Sequence, residues 1–190
     1  LTGANLDKYI AAGIYTDHEC STLEEARERV DKGMMVIVRE GSSARNFDAL
    51  AQVIAYAPEK VMLCSDDKHP DDLIDGHIDG MVRQGLAKGI PVWNLLTAAC
   101  VNPVKHYGID CGLMRKGDNA DFIAVDNLEA LNVVATYIDG RKVYDRTHGV
   151  DNAALATGIS APAATPNNFK AAKITESDIA VDLTGFEKVK

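Results

Sequence analysis

The sequence predicts an α/β fold, in which a layer of parallel strands with crossover helices is followed by a small β piece and a tail. Three observations carry this reading. Short apolar runs at Gly13–Thr16, Met34–Glu40 and Val61–Asp67 each precede a stretch of helical periodicity, and such strand-then-helix units imply right-handed crossovers and a parallel sheet. From Gly108 the pattern becomes Gly-punctuated and strand-like. A chain of 190 residues, 46% hydrophobic, is long enough for one sizeable core.

Each element follows from its residues. The opening LTGANLDKYIAAG places Leu6, Tyr9 and Ile10 on one helical face. With neither an initiator Met nor a leader, it is what a chain beginning in mid-domain would show. After the first apolar run, Ser21 or Thr22 can cap the helix of STLEEARERVDKGM, acids fill its first turn, and Gly33 ends it. MMVIVRE is the clearest buried strand. In ARNFDALAQVIAYAP, Phe47, Leu50, Val53 and Ile54 share a face and Pro58 lies past the end. VMLCSDD is a third strand, and helical stretches are expected over Pro70–Lys88 and Pro91–Tyr107, the latter carrying Trp93, Leu95, Leu96 and Val101. ADFIAVD and VVATYIDGRKVYD read as strands, with a tight hairpin at Asp139-Gly140. From about His148 to Asn168 the composition reads as a linker, and ITESDIAVDL is expected to add one strand.

Composition narrows the function classes. A net charge of −8, from 28 acids against 20 bases with no basic run, argues against a nucleic-acid surface. No apolar run reaches bilayer length and no signal-peptide pattern is present, so no membrane partner and a cytoplasmic location are expected. Cys20, Cys64, Cys100 and Cys111 lie far apart without a Cys-x-x-Cys pair and read as reduced core thiols.

The candidate chemistry lies at the ends of the three strands. In IYTDHE, Ile14, Thr16 and His18 share one strand face, and Tyr15, Asp17 and Glu19 the other. Met34, Val36, Val38 and Glu40 share a face of the second strand, as do Met62, Cys64 and Asp66 of the third. His18, Glu40 and Asp66 therefore follow three consecutive apolar runs, which suggests one site at the C-terminal edge, where α/β enzymes build metal and proton-transfer centres. Imidazole and carboxylate suit zinc, manganese or iron, and an Asp with a free oxygen can move a proton to and from water. Blander roles compete. His18 and its acidic neighbours are also common solvated loop residues, and Asp66 or Asp67 could cap a helix, as could Asp71 or Asp72. His77 falls on the Leu73, Ile74, Ile78, Met81 face, where a hydrogen-bonded core histidine is the commoner outcome. REGSSARN can offer Ser42 or Ser43 to a ligand or simply cap a helix. His69, His106 and His148 carry no supporting pattern.

Four blocks, AGIYTDHE, GMMVIVREGSSARN, CSDDKHPDDLIDGHIDGMVR and NP…YGI…GLMRKGDNADFIAVD, resemble the adenine deaminases of the amidohydrolase superfamily, in order and at fitting spacing up to about Asp145. The resemblance implies a partial (β/α)8 barrel, strands six to eight with their helices, over 1–107. It implies part of a small β-sandwich domain over 108–147 and a linker or tail over 148–190 leading to an additional C-terminal region. By the same resemblance His18 and Asp66 are metal ligands, and Asp66 also moves the proton. Glu19, Glu40, Ser42, Asp67, His77 and Asp79 touch substrate or order its surroundings. The implied reaction is hydrolysis of adenine to hypoxanthine and ammonia in purine salvage, with manganese, iron or zinc as cofactor. The family also uses a His-x-His pair from strand one, a carboxylate from strand four and a histidine from strand five. The remainder of a longer enzyme chain is thus an expected partner, a homo-oligomer is expected, and the segment alone should be inactive. Two alternatives stand beside this: a non-catalytic flavodoxin-like module holding Mg²⁺ with Asp66, Asp67 and Glu40, and an amidohydrolase acting on another heterocycle.

Overall fold

The computed structural model describes residues 1–155, 170–182 and 184–185. β1 (Thr16–Asp17) pairs with β2 (Met35–Arg39) and β2 with β3 (Val61–Cys64), all parallel, in the order β1-β2-β3. Register divides this sheet into two faces. Val36 lies opposite Val61 and Val38 opposite Leu63, and all four are buried in the main core. Thr16, Met35, Ile37, Arg39, Met62 and Cys64 share the other face.

Helices cover the core face. After α1 (Gly3–Ala11), which buries Leu6, comes α2 (Leu23–Asp31), whose N-cap Thr22 accepts a hydrogen bond at Oγ1 from Glu25 N at 3.2 Å. It packs Ala26 and Val30 into the core. α3 (Phe47–Leu50) and α4 (Gln52–Tyr56) bury Phe47, Leu50, Val53 and Ile54, the face that the periodicity predicts. The helix expected over Pro70–Lys88 is broken into α5 (Pro70–Asp75) and α6 (Ile78–Ala87). Gly76, at φ +149°, takes a conformation that L residues rarely adopt. The break overturns the shared face expected for His77: Leu73, Ile74 and His77 are exposed, and only Met81 of that set is fully buried.

The next helical stretch runs through α7 (Val92–Leu96), a π-helical segment (Thr97–Val101) and α8 (Asn102–Tyr107). Buried Asn102 donates from Nδ2 to the carbonyls of Pro58 and Val61, both at 2.7 Å. Because Cys64 O accepts from Glu40 N on the β2 side, strand alternation turns Val61 O to the outer edge of β3. Asn102 thus satisfies an edge carbonyl that β2 cannot reach. His106, which has no pattern in the sequence, sits 2.7 Å from Thr16 Oγ1 through Nε2.

A second sheet is antiparallel, in the order β4 (Phe122–Val125), β5 (Val133–Ile138), β6 (Arg141–Asp145) and β7 (Gly149–Val150). Asp139 and Gly140, at φ +50° and +73°, make the two-residue turn expected between β5 and β6. Asp121 accepts from Gly112 N at 2.9 Å and Asp139 N at 2.7 Å, tying that hairpin to the preceding loop. A Cβ on Gly112 would sit 1.9 Å from Asn119 O, so the approach needs glycine. Leu131, between β4 and β5, reaches the main core.

One compact unit spans Leu1–Thr157 and a second Gly158–Lys190. The linker expected from His148 is structured as far as Leu155, because β7 pairs with β6 and is followed by α9 (Asn152–Leu155); positions 156–169 lie outside the described residues. The strand expected in ITESDIAVDL is corrected to a short helix, α10 (Glu176–Ile179). Asp178 accepts there from both N and Oγ1 of Thr175, at 2.8 and 2.7 Å, a local bond set that favours a helix start. Leu183 lies outside the described residues. The cysteines are all free, but only Cys20 is a fully buried thiol; Cys64 is half-buried, while Cys100 in the π-helical segment and Cys111 beyond α8 are exposed. No helix among the described residues is long and apolar enough to cross a membrane.

Candidate functional site

At the C-terminal edge of the parallel sheet, the face away from the core gathers charged groups. His18 follows β1 on the Thr16 side and is half-exposed, with Nε2 3.2 Å from Glu19 Oε1. β3 ends at Cys64, and Asp66 is left-handed at φ +51° while Lys68 N donates to its carbonyl at 2.8 Å. Gly41 permits the close approach of the loop after β2: a Cβ there would lie 3.2 Å from Ser65 O and 3.3 Å from Asp66 Cβ. The backbone N–H of Asp67 and then the Arg39 guanidinium hold the Asp66 carboxyl below the usual carboxylate range, and His18 adds to the effect. Strands two apart in a sheet are separated by roughly 10 Å, which leaves His18 and Asp66 on either side of β2.

Arg39 lies between them. Its guanidinium grips Glu19 through two bonds, Nη1–Oε1 at 3.2 Å and Nη2–Oε2 at 2.9 Å, and Nη1 also reaches Asp66 Oδ1 at 3.3 Å. Asn46 fixes the backbone beneath. Its Oδ1 accepts from Arg39 N at 2.8 Å, and its Nδ2 donates to the carbonyls of His18 and Cys20 at 3.3 and 3.0 Å. On the opposite face of β1, Asp17 pairs with buried Arg29 at 2.9 Å and accepts from Cys20 Sγ at 2.9 Å. Burial, with Asp17 beside it, raises the Cys20 thiol far above its ordinary range.

The remaining candidates are distributed differently from the sequence reading. Register puts Glu40 on the Val36/Val38 side, so Arg39, not Glu40, joins His18 and Asp66. Glu40 instead lines a neighbouring cleft of about 230 Å³ with Arg45, Lys68, Asp72 and His77. Ser42 donates from Oγ to Asp72 and accepts from His69 N at 2.8 Å, while its own N–H bonds to Asp67 O. That hydroxyl stitches two loops together. Asp79 accepts from His77 N at 2.9 Å and pairs with Arg83 at 2.7 Å, bonds made at the start of its own helix. Although burial pushes its carboxyl up, these partners hold it below the usual range.

Burial raises the Glu40 carboxyl above its ordinary value, so the folded state favours its neutral form over its charged form more than the unfolded chain does. Such a group supports stability below its unfolded value of roughly 4.3, and that support fades as pH rises through the folded value. Glu40→Gln is therefore expected to raise the melting temperature slightly at pH 7 and to leave it unchanged near pH 4. An equal change at both pH values would show that burial is not the cause.

Arg39 and Asn46 escaped the sequence reading. Counting alternation one residue on from Val38 would have placed Arg39 on the His18 side; nothing in the sequence marks Asn46 as a bridge to the β1 loop.

Residues 4–143 match the amidohydrolase family. The chain belongs to that family. It is 56% identical over 146 residues to an adenine deaminase of Methanosarcina mazei, covering 76% of this chain and 26% of that protein. It is 51% identical over 180 residues to an adenine deaminase of Methanosarcina barkeri, covering 94% and 31%. A third relative, an adenine deaminase of Salinibacter ruber, is 54% identical over 143 residues, covering 75% and 26%. The chain spans between a quarter and a third of the length of these relatives. In fold it is similar to a β-aspartyl dipeptidase from Fervidobacterium islandicum AW-1, with a TM-score of 0.54 at 23% identity over 68% of this chain and 36% of that one.

Amidohydrolase membership implies a divalent metal. An imidazole and an ionised carboxylate on one sheet face are donors that fit part of such a site. Among the described residues no group of three or more His, Cys, Asp or Glu side chains gathers to complete it. The family match over residues 4–143 favours the amidohydrolase reading over the flavodoxin-like alternative, a module binding Mg²⁺ or a small ligand.

Proposed function

We propose that this amidohydrolase segment is part of an adenine deaminase, supplying strands six to eight of a (β/α)8 barrel over 1–107 and part of a small β-sandwich over 108–147. The observation that carries this is that His18 and Asp66 follow two strands of the parallel sheet at its C-terminal edge and are linked across β2 through Glu19 and Arg39, at the edge where barrel enzymes bear their active sites. Sequence identity to adenine deaminases along most of the chain supports the substrate.

In this reading His18 and Asp66 hold a divalent metal (manganese, iron or zinc) together with ligands from the rest of a longer chain. When bound, the metal supplies Lewis acidity for attack of water on C6 of adenine. Asp66 keeps one carboxylate oxygen, Oδ1, on Arg39. Its carboxylate accepts one proton of the attacking water and delivers it to the exocyclic nitrogen, which leaves as ammonia, while the proton left on the new C6 oxygen passes to N1 to give hypoxanthine. His77 and Glu40, which line the neighbouring cleft, contact the purine ring or order the loops around it. A cytoplasmic homo-oligomer in purine salvage is the setting that suits this reaction.

The test is conversion of adenine to hypoxanthine by the full-length protein, followed spectrophotometrically with Mn²⁺ present, after chelation and after metal is restored. Turnover lost to chelator and regained with metal is expected. Hydrolysis of a different heterocycle, with adenine untouched under manganese, iron and zinc alike, would overturn the reading. A chain of these 190 residues alone is expected to bind metal weakly, because affinity rests on several preorganised ligands; stoichiometric, chelator-resistant metal in it would contradict the ligand assignment.

A further inference from the structure

The left-handed backbone of Asp66 raises a problem of aim. In a regular strand, alternation decides where a side chain points, but at φ +51° Asp66 has left that geometry. Something other than the strand must orient its carboxylate. Among the described residues Arg39 is the side chain that does so, through Nη1 on Oδ1. Arg39 is itself restrained at both ends. Asn46 bonds its backbone N–H and donates its own N–H to the Arg39 carbonyl at 3.1 Å, and Glu19 holds the guanidinium by a two-point grip. The Arg39 and Asp66 side chains are only 16% and 19% exposed, whereas Glu19 is 64% exposed. The chain of contacts therefore runs inward from a solvated carboxylate, through a rigid fork, to a shielded carboxylate.

We propose that Arg39 is the positioning residue for Asp66, and that Glu19 acts through Arg39 instead of touching substrate or metal. This rests on the deaminase reading for what Asp66 does, but not for the geometry. The planar fork matters because one guanidinium bonds both carboxylates at once, which an ammonium on a flexible stem does not reproduce. With Oδ1 on the guanidinium and the Asp67 N–H also bonding the carboxylate, the plane in which the carboxylate can meet metal and water is set. Partners that orient a metal ligand typically change metal affinity or activity by roughly 10- to 100-fold when removed.

The experiment uses the full-length protein as wild type and as Arg39→Met, Arg39→Lys and Glu19→Gln. Mn²⁺ affinity is read from the electron paramagnetic resonance signal of the free ion, kcat and KM on adenine at saturating Mn²⁺, and folding by thermal melting. For Arg39→Met, Mn²⁺ affinity is expected to fall by about 10- to 100-fold and kcat by at least about tenfold, with KM within about threefold. Arg39→Lys should recover part of both losses, and Glu19→Gln should show the same pattern at roughly a third of the size on a logarithmic scale. Wild-type affinity and kcat in Arg39→Met would overturn the proposal. So would tighter Mn²⁺ binding in that variant, which would mean that the guanidinium competes with the metal. If Arg39→Met does not fold, Glu19→Gln decides: unchanged affinity and kcat, or a change confined to KM, would overturn it. A wild type that binds Mn²⁺ without deaminating adenine would sink the deaminase reading alone, since the affinity series still tests the positioning role.

Discussion

Asp66→Asn in the full-length protein is expected to lower adenine turnover on the order of 100-fold or more while leaving the fold intact. The substitution preserves shape, and Asn is among the few residues that tolerate the left-handed conformation found at this position. What it removes is the charge that meets Arg39 and the oxygen that takes up a proton. Asp67 is the control. It contributes its backbone N–H to the Asp66 carboxylate and its carbonyl to Ser42 N, neither of which depends on its side chain. Asp67→Asn should therefore cost much less. Equal losses at both positions, measured on adenine with melting curves alongside, would mean that the pair acts as a unit or that the wrong aspartate carries the role.

Asp17→Asn is expected to give a large loss of stability. Asp17 and Arg29 form an ion pair whose side chains are only 11% and 6% exposed, and the Cys20 thiol donates to the same carboxylate oxygen that Arg29 meets. Neutralising Asp17 leaves a guanidinium buried without its counter-charge, a change that typically costs about 3–5 kcal/mol. Urea unfolding of the protein should show the shift as a lower midpoint. The double replacement Asp17→Leu with Arg29→Met should recover much of the loss, because an apolar pair has no charge to desolvate. A single-variant loss below about 1 kcal/mol would show that water reaches the pair.

The parallel layer was legible because its signals are local. Val36, Val38, Val61 and Leu63 repeat at the strand period, Thr22 and Gly33 bracket α2, and Asp139-Gly140 makes the turn that its residue types favour. The break at Gly76 was harder to read, since a lone glycine inside a helical pattern is often tolerated. The candidate site was half legible. His18 and Asp66 end apolar runs, and that much shows in one dimension, but the choice between Arg39 and Glu40 turns on a single residue of register. Asn46 and His106 act across 28 and 90 residues of chain, on the carbonyl of His18 and the hydroxyl of Thr16, and no periodicity marks such partners. The exposed Cys100 and Cys111 show the limit of composition, because a thiol's neighbours in sequence do not determine which side of a helix faces water or whether a loop is covered.

The π-helical turn at Thr97–Val101 sets an angle. Seven residues separate buried Leu95 from Asn102, and in a regular α-helix that interval brings two side chains back to nearly the same bearing. A turn closed by i→i+5 bonds holds one residue more, which sets everything after it back by about 100° around the axis. Leu95 can then enter the core while Asn102 swings round to the outer carbonyl of β3. The length of this segment, more than its side chains, does the aiming. Apart from buried Ala98 and Ala99, which packs against the core, its positions should tolerate substitution better than a change of length. Removing any one of them would rotate Asn102 away from Val61 and turn Pro103, Lys105 and His106 out of phase with the sheet beneath.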